Sequence, residues 1–313
     1  MSESERDCVL AIVVAYLPEP ERFADLLRHL LSQATAVLVV DNTPAGKDDA
    51  ERVVMALPDH GGRLRITRCG DNLGIGAALN IGIDAAQAEQ FTSVLLSDQD
   101  SLPSVDMVSQ LLRTTHELSA TGIRVGAISP AYVDEVTGAS FGFQVQRPDA
   151  WFYSVFDSSA ADPWVEVLTS ITSGTLIPVS AFAIVGTMRE DYFIDDIDAE
   201  WCLRARSHGL HLFGTARAVM RHRLGDSSFP LWYLRWRRFN GYQPLRLYYR
   251  FRNFIVLCGE PHAPLGWKVR ASWYWLGNIY AYLIFSPNRV MNARYIFRGL
   301  FDGFRRRMGR YND

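Results

Sequence analysis

Thr92-Ser93-Val94-Leu95-Leu96-Ser97-Asp98-Gln99-Asp100 is the stretch on which the reading of this chain turns. Val94-Leu95-Leu96 has the composition of a buried strand, and two carboxylates spaced i, i+2 follow it at once. A strand that ends this way presents both acids near one loop tip. Hard oxygen ligands of that kind suit Mg²⁺ or Mn²⁺ bridging protein and phosphate. The same residues can also form a solvated turn that opens a helix, with Asp100 or Ser101 as N-cap. The rest of the chain has to decide between these two.

Outward from this point, strand-like and helix-like segments alternate. Residues 9–15 form a continuous apolar run, the mark of a strand buried on both faces. Pro18 and Pro20 punctuate a turn, and Phe23, Leu26, Leu27, Leu30 and Leu31 then set out a helical stripe. Further strands are expected at 36–40, 64–67, 94–96 and 125–129, with helices at 74–88 and 105–118. Such alternation predicts an α/β fold, a parallel sheet covered by helices. Residues 130–175 lose the pattern and read as an irregular segment with hairpins. Helical periodicity returns at 179–185 and 198–207, and two short strands are expected near 211–214 and 218–221. From Phe229 the composition shifts to Trp, Tyr, Phe and Arg at helical spacing as far as Arg307, which predicts two or three appended helices. Residues 271–286 are apolar but fall short of the ~20 residues that span a bilayer, and they are rich in Tyr and Trp. A helix lying on a membrane, or packed on the domain, is expected there.

Of 313 residues, 48% are hydrophobic and 21% charged, enough for a sizeable core. Cys8, Cys69, Cys202 and Cys258 are widely scattered, which argues against a zinc site or a disulfide framework and fits a reducing compartment. The polar, acidic N-terminus carries no secretory signal pattern. The net charge of −2 conceals an asymmetry: residues 221–313 hold 17 Lys/Arg against 4 Asp/Glu, while residues 1–220 hold 15 against 30. A basic end of this kind suits an anionic partner, whether phospholipid, nucleic acid or phosphorylated substrate.

Four further constellations carry chemistry. Asp41-Asn42 ends a strand, where open α/β sheets bind ligands, and a carboxylate with an amide there can read a base or ribose; the pair is also a good turn. Asn72-Leu73-Gly74 opens a helix whose positive end attracts anions, although a glycine chosen for helix–sheet packing explains it equally well. Asp195, Asp196, Asp198 and Glu200 place four acids in six positions, more than helix capping requires. Their repulsion is easier to understand where a cation or a catalytic proton is involved. His222, flanked by Arg221 and Arg223, follows a short strand; its imidazole can join Asp98 and Asp100 on a metal while the arginines neutralise phosphate.

Together these residues resemble an inverting GT-A-fold glycosyltransferase of the large family of bacterial polysaccharide synthesis enzymes, and within it the rhamnosyltransferases that use dTDP-L-rhamnose. The resemblance runs in order through Val13-Val14-Ala15-Tyr16, Val39-Val40-Asp41-Asn42, Asn72-Leu73-Gly74, Leu96-Ser97-Asp98-Gln99-Asp100, Thr172-Ser173-Gly174, the segment 193–204, His222-Arg223-Leu224-Gly225, and Tyr248-Tyr249 with Arg252-Asn253. It implies a Rossmann-like GT-A domain over residues 1–227, holding donor and acceptor sites; the basic, aromatic-rich helical region over 228–313 is expected, from its charge and composition, to associate with membrane or to pack on the domain. It further implies that Asp41 contacts the base and that Asp98 and Asp100 hold ribose and a metal–diphosphate, with Mg²⁺ or Mn²⁺ completed by His222. Asn72, Gly74, Gln99, Arg204 and Arg221 complete the donor-binding set; Gln99 is expected to turn away from the metal. Asp198 is the implied general base and Glu200 the acid that positions the acceptor.

The expected activity is therefore transfer of L-rhamnose from dTDP-L-rhamnose to a saccharide acceptor carried on a lipid, on the cytoplasmic face of the cell membrane, with no nucleic acid partner. A UDP-sugar donor on the same fold is the alternative. A nucleotidyltransferase would want a basic, glycine-rich loop after the first strand, where this chain has Tyr16-Leu17-Pro18-Glu19-Pro20. A non-enzymatic protein binding anionic surfaces explains the charge asymmetry and leaves the acidic clusters unexplained.

Overall fold

The computed structural model describes residues 7–58, 61–135, 138, 140–145, 150–156, 164–222, 227–233 and 235–312. In chain order its elements are β1 (Val9–Ala15), α1 (Pro20–Leu31), β2 (Ala36–Asp41), α2 (Asp49–Ala56), β3 (Leu64–Arg68), α3 (Ile75–Ala88), β4 (Ser93–Asp98), β5 (Leu102–Pro103), α4 (Met107–Ala120) and β6 (Val125–Asp134). Then follow β7 (Ser140–Phe141), β8 (Phe143–Val145), β9 (Ser154–Phe156), β10 (Val165–Glu166), β11 (Leu176–Pro178), α5 (Val179–Val185) and α6 (Ile197–Ser207). The chain ends with β12 (His211–His222), β13 (Ser227–Tyr233), β14 (Arg235–Gly241), α7 (Pro244–Gly259), α8 (Leu265–Ile284) and α9 (Arg289–Phe304).

Most strands join one mixed sheet in the order β10-β12-β6-β11-β4-β1-β2-β3. β1 is central and lies parallel to β2 and β4, with Ala15 beside Asp41 and Val14 beside Asp98. That register lines up the C-terminal ends of three strands, so the two acidic motifs emerge on one edge. The strands hold because their side chains are buried on both faces: Leu10, Ile12, Val37, Val39, Val94 and Leu95 are fully enclosed. Phe23, Leu26, Leu27 and Leu30 of α1 cover one face as their spacing predicts. β11 runs antiparallel to both β4 and β6, and so brings residues 172–175 against the end of β4.

Three expectations need correction. β6 continues five residues beyond Ser129. The two short strands near 211–221 are one strand, β12, whose register against β6 shifts between Thr215 and Val219. The region after Phe229 starts with a β13–β14 hairpin rather than a helix, and the helices follow from Pro244. Pro230 has no N–H for a helix interior, and Phe229, Leu231 and Phe239 recur on the buried side of a period-2 pattern. α2 and its buried Ala50, Val53 and Val54 had no counterpart in the sequence reading.

α7, α8 and α9 pack around a second apolar cluster that includes Phe251, Phe254, Trp267, Trp275, Tyr282 and Ile296. Leu168 and Leu203 belong to it as well, so the C-terminal helices are joined to the α/β part through shared core. Among the described residues, no helix is long and apolar enough to cross a membrane.

Candidate active site

Asp98 closes β4 and its backbone N–H donates to Ser173 Oγ at 3.3 Å. Ser173 Oγ donates in turn to buried Ser101 at 2.7 Å, tying residues 172–175 to the turn that carries Asp98 and Asp100. Gln99 lies between the two acids and turns aside. Its Oε1 accepts from Tyr16 N at 2.6 Å and its Nε2 donates to Tyr16 O at 3.0 Å, so the amide zips the loop after β4 to the loop after β1. Asp98 and Asp100 are close enough for their like charges to interact. Burial, and the like charge of Asp100, push the Asp98 carboxyl up to about 7, while Arg246 opposes the shift.

Asp41 is almost fully buried at the end of β2, where it accepts from Thr43 N at 3.1 Å and lies 3.7 Å from Arg68 Nε. Asn42 donates to Asn72 Oδ1 at 3.1 Å and accepts from Leu73 N at 2.8 Å, which fixes the entrance to α3 against β2. Asn72 also caps Gly74 N at 3.0 Å. Gly74 has a φ of +88°, and a Cβ there would come within 2.7 Å of Phe193 O. Ile75 N donates to that same carbonyl at 2.6 Å. The glycine motif thus clamps the segment before the second acidic cluster onto the N-terminus of α3. Asn80 extends the clamp by donating to Met188 O and accepting from Met188 N.

The second cluster hangs on an unusual loop. Phe193, Asp195 and Asp196 have positive φ values of 66°, 64° and 59°, a region that non-glycine residues seldom adopt. Asn253 of α7 is buried, and its Nδ2 donates to the carbonyls of Tyr192, Ile194 and Asp195 at 3.1, 2.7 and 2.8 Å. Arg252, also fully buried, reaches Tyr192 O at 2.7 Å and orients Asn253 by donating to its Oδ1 at 2.9 Å. Outside the loop, Arg246 forks onto Asp195 at 3.1 Å and Arg250 approaches the same carboxylate at 3.9 Å. The Tyr242 ring lies under both guanidinium groups, at 5.0 and 4.2 Å.

From this loop α6 presents its two acids on opposite faces. Asp198 accepts from Thr172 N at 3.2 Å and Ala199 N at 2.8 Å. Burial pushes its carboxyl up to about 6, with the charge of Asp98 adding to the shift. Thr172 precedes Ser173, which is bonded to Asp98 N, so the hydrogen bond from Thr172 sets Asp198 on the side of the end of β4. Glu200 turns the other way and is fully enclosed. Both its oxygens take the Arg204 fork at 2.9 Å, and His262 Nε2 lies 3.3 Å away. Burial holds the His262 pKa below the ordinary range, so this neighbour is a neutral imidazole. Arg204 also donates to Thr187 O at 2.9 Å. Glu200 and Arg204 form a largely enclosed pair that anchors α6. Asp196 is half-buried, with one enclosed oxygen lacking a hydrogen-bond partner among the described residues, and desolvation pushes its carboxyl up to about 8.

Arg221 is exposed on β12, whose backbone pairs with Leu102 at that point. His222 ends β12, and its side chain lies outside the described residues, as do Arg223, Leu224, Gly225 and Asp226. The structure therefore brings Asp98, Asp100 and Asp198 together, and adds Arg246 and Arg250, which the sequence reading passed over. Their i, i+4 spacing on one helix was available as a signal; their partner, 51 residues upstream of Arg246, was not.

This architecture, a mixed sheet with acids at the strand ends and helices appended, is a GT-A-like fold. The chain superposes on the crystal structure of GalNAc-T7 with UDP, GalNAc and Mn²⁺ with a TM-score of 0.61 at 11% identity, covering 97% of this chain and 57% of that one. Residues 11–157 match the Glycosyl transferase family 2 model. It is also 26% identical, over 97% of its length and 98% of the relative's, to dTDP-rhamnosyl transferase RfbF of Shigella flexneri.

Two predictions follow from the geometry. Replacing Asn253 by Ala removes the side-chain donor from the carbonyls of Ile194 and Asp195, while Tyr192 O keeps Arg252, and a buried group left unsatisfied costs about 1–3 kcal/mol. Chemical denaturation should show Asn253→Ala less stable than the parent by about 2–4 kcal/mol. The second concerns pH. Asp98, Asp196 and Asp198 have folded-state pKa values raised above those of an unfolded chain, so the folded state binds more protons between about pH 4 and 8. Stability of the metal-free protein should therefore fall as pH rises through that window, giving a higher melting temperature at pH 6 than at pH 8.

Proposed function

We propose that this glycosyltransferase is an inverting, metal-dependent rhamnosyltransferase that takes L-rhamnose from dTDP-L-rhamnose. The donor assignment is supported by near-full-length similarity to a dTDP-rhamnosyl transferase. The mechanism is supported above all by one observation: Asp198 is the one acid of α6 pinned by two backbone N–H groups within electrostatic reach of Asp98.

The donor set suits a hard divalent cation, Mg²⁺ or Mn²⁺. Asp98 and Asp100 offer oxygen ligands, and a cation would remove the cost of keeping Asp98 charged beside a like neighbour. Among the described residues, no group of three His, Cys, Asp or Glu converges on a metal position. Donor phosphates and His222 are the remaining ligands in this proposal. Such a cation, when bound, neutralises charge on the leaving diphosphate. Arg246, already close enough to influence Asp98, adds a second positive charge on that side.

Asp198 is the general base. With a carboxyl pushed up to about 6 it is ionised at pH 7, yet it is a stronger base than an ordinary carboxylate. It takes the proton of the acceptor hydroxyl as that oxygen attacks the anomeric carbon opposite the diphosphate, so the centre inverts and no covalent intermediate is required. Asp41 and Asn42, at the end of β2, face the base and ribose. Residues 1–227 hold donor and acceptor sites, and residues 228–313 supply the helices that brace them. We place the enzyme at the cytoplasmic face of a membrane, acting on a lipid-carried saccharide, because the basic charge is concentrated after residue 220.

Asp198→Asn should bind donor like the parent in calorimetry and lose ~10²–10⁴-fold in turnover, the usual contribution of a general base. The donor is tested by competition. With dTDP-L-rhamnose and UDP-glucose at equal concentration, the rhamnosyl product should dominate, chelation should abolish it, and Mg²⁺ or Mn²⁺ should restore it. Preference for the UDP-sugar would assign the site to the alternative donor.

A further inference from the structure

The outward faces of α8 and α9 are apolar, although both helices already bury their opposite faces. α8 packs Trp267, Ala271, Trp275 and Tyr282 inward, and α9 packs Ile296. A helix that has met its core in this way normally shows a polar face to water. Here Trp273, Leu276, Tyr280 and Ile284 recur at helical spacing on the exposed side of α8, with Trp273 67% exposed. On α9 the same is true of Val290, Phe297, Phe301 and Phe304, with Val290 86% and Phe304 75% exposed. Contiguous exposed apolar surface marks an interaction site.

The charges on these helices identify the partner. α8 contains no acid, and its charged residues are Lys268 and Arg270. α9 contains a single acid, Asp302, which is buried and accepts from Tyr248 Oη at 3.1 Å and Arg298 Nε at 2.9 Å. Arg270 lies three residues before Trp273 on the α8 stripe, Arg294 three before Phe297 on the α9 stripe, and both are exposed. Arg305 stacks over Phe301 at 4.3 Å. All the exposed charge on the two helices is therefore positive. A second copy of the chain would set like charges against each other, whereas a negatively charged bilayer complements them. Neither helix is long and apolar enough to cross. Trp and Tyr favour the headgroup level, and basic amphipathic helices lie in that plane.

We infer that the outward faces of α8 and α9 are a docking surface for an anionic phospholipid bilayer, with the aromatic side chains entering the interface and Arg270 and Arg294 meeting lipid phosphates. The inference rests on the membrane placement proposed above, but it relocates the contact. The arginines at the end of the chain are engaged within the molecule: Arg306 with Glu260 at 3.2 Å, Arg307 with Asp302 at 3.8 Å and Arg310 with Asp71 at 2.9 Å. They brace the fold, and the helix faces carry the contact.

The test uses the full chain in co-sedimentation with vesicles of phosphatidylcholine containing phosphatidylglycerol, and with pure phosphatidylcholine. The parent should bind the anionic vesicles, more weakly as salt rises. Trp273→Glu/Phe297→Glu should lose binding at least ~10-fold while melting like the parent, since both side chains are exposed. Arg270→Gln/Arg294→Gln should lose the salt-sensitive part. Met55→Glu, at an equally exposed apolar position on α2, and Arg306→Gln/Arg310→Gln should bind as the parent does. Unchanged sedimentation of Trp273→Glu/Phe297→Glu would overturn the inference. So would a parent that is dimeric without vesicles and becomes monomeric in that variant, which would assign the face to a second copy. Hydrolysis of dTDP-L-rhamnose, followed in parallel, separates the two proposals: its absence in a vesicle-binding parent would remove the rhamnosyltransferase reading alone, and its retention in a non-binding variant would support the docking surface alone.

Discussion

Asn253 donates to three carbonyls of a loop that could not keep its shape unaided. Phe193, Asp195 and Asp196 all sit at positive φ, each at a cost of about 1–2 kcal/mol for a residue with a Cβ. The carbonyls of Tyr192, Ile194 and Asp195 consequently point at one place, where a single amide held by Arg252 satisfies them. From the other side, Ile75 N holds Phe193 O and Gly74 allows the approach. The loop is thus gripped between α3 and α7, and α6 starts where that grip leaves it. Asp198 reaches the strand ends only because the grip sets the direction of the helix.

The same loop concentrates negative charge, and the fold manages it by sorting the acids. Asp195 goes to Arg246 and Arg250, which are themselves stacked on Tyr242. Glu200 goes inward to Arg204, a pairing that would be costly to break because it would leave a charge enclosed without a partner. Burial raises both Asp98 and Asp198, with Arg246 only partly offsetting the shift at Asp98. Residues 198 and 200 are separated by about 200° around a helix axis, so one turn of α6 faces Arg204 on one side and Thr172, beside the end of β4, on the other.

Much of the sheet was legible in the sequence. Strands buried on both faces appear as continuous apolar runs, and β1, β2 and β4 lie close to where those runs stand. Gln99 between its two acids was expected to turn aside, and its amide pairs with Tyr16. Less legible were segments whose pattern fits two periods. Phe229, Leu231 and Phe239 stand in a Trp-, Tyr-, Phe- and Arg-rich stretch whose composition also suits a helix, and only pairing of β13 with β14 separates the two. α2 is eight residues long with three buried side chains, too few to set a period. β12 looks like two strands because its register slips midway.

The sequence by itself determined the order of strands and helices, the two acidic motifs and the basic C-terminal composition, because these depend on neighbours a few residues apart. It left open what each motif does. In the folded chain Asn72 and Gly74 grip the loop before the second acidic cluster, and Glu200 holds Arg204. The final arginines could have faced a membrane, yet Arg310 pairs with Asp71, 239 residues earlier. Such pairings are set by where the packed core brings distant segments together and by the cost of enclosing a charge or carbonyl without a partner. No local spacing encodes that, so the roles of these polar residues were decided by tertiary structure alone.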